Sequence, residues 1–104
     1  MIDRGKLYSS ATDFFKLDGD STMKLTKLAA IDVCENATKK NCCISMIEGG
    51  FWNEPSFQAN LDAIWNCEEQ VLDIEEVNKK AVTFINNISE SEGVDAFILT
   101  LDEE

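Results

Sequence analysis

Apolar residues recur along this chain with two different periods, and the points where the period changes mark its elements. Leu7, Tyr8, Ala11, Phe14 and Phe15 fall at helical spacing and predict a short amphipathic helix over residues 6–17. Residues 18–22 form a polar break with Gly19, Ser21 and two acids, so the first piece reads as an appendage. Thr26 then offers an N-cap, Leu28, Ile31, Val33, Cys34 and Ala37 recur near a 3.6 period, and Lys39 and Lys40 suit the negative end of a helix dipole. That predicts a helix over 27–40. Residues 42–47 are a short apolar run between Asn41 and Gly49-Gly50, which reads as a buried strand. Residues 51–55 mix aromatics with Pro55 and read as a loop or irregular edge, followed by two short strands over 56–61 and 63–67. After a connection over 68–73, Ile74, Val77, Ala81, Phe84, Ile85 and Ile88 line one face of a helix over 74–89. Its polar face carries Glu75, Glu76, Lys79 and Lys80, ordinary i,i+4 pairs. Gly93 ends it, and residues 96–101 form the clearest strand in the chain.

The expected architecture is α+β: a small, mostly antiparallel sheet of about four strands flanked by two helices on one or both faces, with an extra N-terminal helix. The length of 104 residues fits one folded body. Within it, residues 1–22 read as an N-terminal extension and 23–104 as the main domain.

Charge changes this picture. A hydrophobic content of 44% excludes intrinsic disorder, although the formal net charge is −11. Residues 1–40 carry seven bases and six acids, whereas residues 41–104 carry only Lys79 and Lys80 against fourteen acids. From Asn41 through Asn78 there is no base at all. A surface built for solubility intersperses its signs, while a single-sign field steers and orients a charged partner. Direct binding to nucleic acid or anionic lipid is disfavoured on Coulombic grounds, and a basic partner is favoured.

The chemistry of catalysis is thin. The chain has no histidine, so its commonest general base and the Ser-His and Cys-His pairs are missing. Twenty acids make many carboxylate pairs by chance, and none can be singled out as a hydrolytic dyad. Cys34, Cys42, Cys43 and Cys67 are spaced by 8, 1 and 24 residues, which matches no zinc site. The Asp18-to-Thr22 stretch resembles the start of a calcium loop but has Met23 where glycine is needed and Ala29 where glutamate is needed. No metal or cofactor is expected. No leader pattern or membrane-length apolar run is present, so the expected compartment is the cytoplasm, with the cysteines reduced.

One stretch stands out. Residues 48–55 combine Gly49 and Gly50 with Phe51, Trp52, Glu48, Glu54 and Pro55. Either aromatic can fold back on the core, but an aromatic left outside among acids has the makeup of a hot spot for a basic partner. Trp65 lies in a strand and is expected in the core.

From Met23 onward the chain resembles the colicin E5 immunity protein family. Met23-Lys24-Leu25, Ala29-Ala30-Ile31, Val33-Cys34, Ala37 and Lys39-Lys40 follow its first helix. Ile47, Gly49-Gly50, Trp52, Pro55, Phe57 and Trp65 follow its central strands, and Ala96-Phe97-Ile98 with Thr100-Leu101 its closing strand. The resemblance covers about four fifths of the chain, leaves out residues 1–22, and departs over 68–73 and at Asp102-Glu103-Glu104.

The resemblance implies a cytoplasmic antidote that binds, one to one, the basic domain of a ribonuclease toxin that cuts tRNA anticodon loops. It further implies inhibition by covering the RNA-binding cleft, with acids standing where phosphates would lie. The cognate toxin would be of the colicin or the contact-dependent growth inhibition type. Charge and loop position nominate Glu48, Phe51, Trp52, Glu54 and Asp62 as the toxin-binding set, with Glu68 and Glu69 at its rim. A second reading is an acidic nucleic-acid mimic of phage origin aimed at a DNA-binding or CRISPR-type protein. A third, a small carboxylate hydrolase, lacks both histidine and motif, so the chain is expected not to be an enzyme.

Overall fold

A computed structural model describes all residues except 1, 4, 20, 68–72 and 104, and the side chain of residue 103. Leu7 and Tyr8 form a short strand, β1, and not the start of a helix. The first helix, α1, is confined to Ala11–Lys16, where the Ser10 hydroxyl accepts from the Thr12 N–H as its N-cap. Within the polar break Asp18 and Ser21 take positive φ, and strand β2, Lys24–Leu25, follows. Thr26 then caps α2, Lys27–Lys39, its hydroxyl accepting from the Ala29 N–H at 3.2 Å.

Asn41 takes a left-handed conformation, with φ of 60°, and turns the chain into β3, Cys42–Asn53. This strand does not stop at the glycine pair as the pattern predicts but runs on through Phe51 and Trp52. Glu54 and Pro55 make only the turn, and β4, Ser56–Asn66, returns as one strand instead of two. Helix α3, Ile74–Glu92, begins at the Asp73 cap and ends where Gly93 adopts φ of 69°, a conformation that favours glycine. Strand β5, Ala96–Glu103, closes the chain. The connection expected over 68–73 lies, but for Asp73, outside the described residues.

The five strands lie in the order β1-β2-β5-β3-β4. Every pairing is antiparallel except β1 with β2. The sheet has one strand more than expected: β1 and β2, too short to show a period in sequence and defined by pairing, add two, and the union of 56–61 with 63–66 in β4 removes one. One core joins Val33, Cys34 and Ala37 of α2, Ala81 and Ile85 of α3, and Ile44, Ile47, Phe97 and Leu99 of the sheet. Both long helices therefore cover the same face. Tyr8, Ala11 and Phe14 belong to this same core, which the polar break in sequence does not reveal.

Asn78 is the one buried polar residue among the described residues, and it extends the sheet. Pairing of β4 with β3 stops at Met46, and the Cys67 N–H makes a last bond to the Ser45 carbonyl. Beyond that point the Asn78 side chain takes the place of a strand, accepting from the Ile44 N–H at 2.9 Å and donating to the Cys42 carbonyl at 3.0 Å.

Candidate functional site: the uncovered face of the sheet

Strand geometry sends alternate side chains to opposite faces. On β3, a Cβ added at Gly49 would touch Ala63 and Phe97, both core residues, so Gly49 faces the helices. A Cβ at Gly50 would strike the Phe57 ring, so Gly50 and Phe57 share the uncovered face. Glu48 and Trp52, the neighbours of this pair by alternation, share that face with them.

The register completes the surface. Glu48 lies opposite Ile98 on β5 and Ile64 on β4, Met46 opposite Thr100 and Asn66, and Trp52 opposite Phe57. None of Met46, Trp52, Phe57, Ile64 or Ile98 packs against the core cluster. Ile64 is 37% exposed, while Met46, Glu48, Trp52, Phe57 and Ile98 are half-buried. The surface is thus an apolar field with a carboxylate at its centre. Gly50 makes room for Phe57, whose ring occupies the space a side chain there would need. Asp95 fixes the end that bears Trp52: its carboxylate accepts from the Trp52 N–H at 2.8 Å, and its own N–H donates to the Gly50 carbonyl at 3.0 Å.

The nominated residues divide by position. Glu48 and Trp52 share the uncovered face, four residues apart on one strand, which is roughly 13 Å. Glu54 is exposed in the β3–β4 turn beyond Trp52. Asp62 is exposed on the edge strand, where residues 60–62 bulge because the register jumps between Glu48 and Gly50. Phe51 lies on the other face and, like Trp65, packs against the core. Glu68 and Glu69 lie outside the described residues. The alternation of Gly49 through Trp52 separates the two aromatics that the sequence set side by side.

Sequence reasoning missed Met46, Phe57, Ile64 and Ile98. In β5 the run Ala96-Phe97-Ile98-Leu99 is apolar on both sides, so nothing in it says which side the helices leave open. The remaining chemistry is quiet. Burial pushes the Cys34 thiol up to about 12, with the nearby Glu35 charge adding to the shift. Exposed Lys79 is raised by its hydrogen bond to Glu75, 3.0 Å away, and by that residue's charge. Among the described residues no cluster of potential metal ligands occurs. No helix among them is long and apolar enough to cross a membrane.

These features define a small acidic α+β protein that presents a sheet face. Residues 23–102 match the family described as Colicin-E5 Imm protein, and the chain belongs to that family of immunity proteins. It is 41% identical over 105 residues to the immunity protein CdiI of Burkholderia pseudomallei, an alignment covering 98% of this chain and 94% of that protein. It is 42% identical over 82 residues to the colicin-E5 immunity protein of Escherichia coli, covering 76% of this chain and 98% of that protein. The Burkholderia alignment takes in the N-terminal segment that the family match leaves out.

Proposed function

We propose that this protein binds the basic domain of a cognate tRNA-cleaving ribonuclease toxin, one to one, and blocks its RNA-binding cleft. The observation that carries this reading is the uncovered face: a carboxylate, Glu48, set among apolar side chains with Trp52 and Phe57 at one end. A ribonuclease cleft presents cations to phosphates and apolar surfaces to bases. The Glu48 carboxylate takes the place of a phosphate, and the aromatic pair takes the place of stacked bases. The base-free stretch from Asn41 to Asn78 supplies both β3 and β4, so no cation of those strands opposes the approach. Names of the similar proteins support an antidote to a colicin or a contact-dependent toxin. The protein works by occupying the cleft, without chemistry of its own, in the cytoplasm where tRNA is found.

The test is co-expression of this chain with its cognate ribonuclease toxin domain, reading tRNA cleavage and host growth. Intact tRNA and restored growth are expected. Continued cleavage in the presence of the folded protein would sink the reading. Protection against a DNA-binding or CRISPR-type protein and not against the ribonuclease would favour the phage-mimic alternative.

A further inference from the structure

Leu61 is 83% exposed, the most exposed large hydrophobic residue among those described. Single exposed leucines are ordinary on protein surfaces, but the setting of this one is not. It sits at the middle of the bulge over 60–62, on β4, the edge strand of the sheet. Edge strands are commonly protected by charge, proline or a bulge that turns the edge away, and an aliphatic side chain at the apex of the bulge undoes that protection. The bulge is also fixed in shape. The Asn60 side-chain oxygen accepts from the Asp62 N–H at 2.9 Å, and its nitrogen donates to Glu92 at the end of α3 at 3.4 Å. Leu61 is therefore held in water between two polar residues, three positions from partly exposed Ile64 on the uncovered face.

We propose that Leu61 is an apolar anchor for the toxin domain and helps determine which toxin is bound, an inference that rests on the antidote reading above. An anchor held in place before binding loses little freedom on docking, and a protruding side chain rejects any partner lacking a pocket for it. Charge decides the occupant. A second copy of this chain would bring Asp62 and Glu54 against an equally acidic edge, whereas a basic domain complements them.

The experiment measures binding of the full-length protein to the immobilised ribonuclease domain of its cognate toxin, with Leu61→Ala, Leu61→Met and Leu28→Ala in parallel. Leu28 is 74% exposed on α2, behind the sheet, and serves as a matched control. Leu61→Ala is expected to raise Kd about tenfold or more, mainly through faster dissociation, with thermal stability unchanged. Leu61→Met should stay within a few-fold of the parent, and Leu28→Ala should match it. The inference is overturned if Leu61→Ala binds like the parent, if it loses no more than Leu28→Ala, or if its effect is to dissolve a dimer of this chain. Failure of the unmodified protein to bind overturns the antidote reading as well, whereas tight binding indifferent to Leu61 overturns this inference alone.

Discussion

The carboxamide of Asn78 lies against the backbone of Ile44, accepting its N–H at 2.9 Å while its nitrogen reaches the Cys42 carbonyl at 3.0 Å and the Thr38 hydroxyl at 2.9 Å. It links α3, α2 and the end of β3 at a place β4 does not reach. Asn78→Leu takes away the partner of the buried Ile44 N–H and is expected to cost about 2 kcal/mol. Urea unfolding measures it; a midpoint equal to that of the parent would show that water replaces the amide.

Gly49 and Gly50 predict a graded response. A Cβ at Gly50 would fall 2.7 Å from the Phe57 ring and against the Gln58 carbonyl, so Gly50→Ala must shift backbone as well as a side chain. At Gly49 the nearest atom is the Ala63 Cβ at 3.0 Å. Gly50→Ala should destabilise by about 2 kcal/mol or more, and Gly49→Ala by less. Thermal unfolding of both variants checks the order.

Trp52 and Phe51 are neighbours in sequence with opposite surroundings. Trp52→Ala should weaken toxin binding by about 2 kcal/mol or more at unchanged stability, as expected for an aromatic anchor. Phe51→Ala should lower stability, since its ring packs on the core, and change affinity little for the fraction that remains folded. Measuring affinity and unfolding together separates the two; affinity that tracks stability in both variants would place Trp52 in a structural role.

A net charge of −11 concentrated in the second part of the chain predicts electrostatic steering. The association rate with the toxin domain should fall steeply as salt rises from low to physiological strength, while dissociation changes little. Stopped-flow mixing across a salt series tests it, and a flat association rate would contradict it.

Cys34 supplies a pH signature. Burial raises its thiol from the ordinary 9.0 to about 12, so between those values the unfolded chain loses a proton that the folded chain keeps. The unfolded state then binds fewer protons, and stability falls as pH rises through that window. Cys34→Ala should flatten that fall relative to the parent in unfolding measured from pH 8 to 11. In the folded protein Cys34 should also resist thiol reagents, because it is fully buried.

The helices were legible because their signals are local. Thr26, Asp73 and Gly93 sit at helix ends, and the apolar stripes lie at the spacing that a helix requires. The β3–β4 turn was harder. Pro55 and two aromatics read as a break, yet a strand continues wherever a neighbouring strand accepts its hydrogen bonds, and Gln58 and Phe57 stand opposite Phe51 and Trp52. Residues 7 and 8 fit helical spacing in sequence for the same reason: their partners, Lys24 and Leu25, are too distant in sequence for a local pattern to register.

By itself the sequence determined the two long helices and the closing strand, the segregation of charge, the absence of histidine and the resemblance to an immunity family. Each of these is carried by residue identity or by spacing within one helix or strand. Tertiary structure alone decided which face of the sheet stays open, and therefore that Glu48 and Trp52 stand together while Phe51 turns inward. It also decided that Asn60 would hold Leu61 out at the edge. Those outcomes depend on register and on which face the helices cover, quantities set by contacts between residues far apart in the chain.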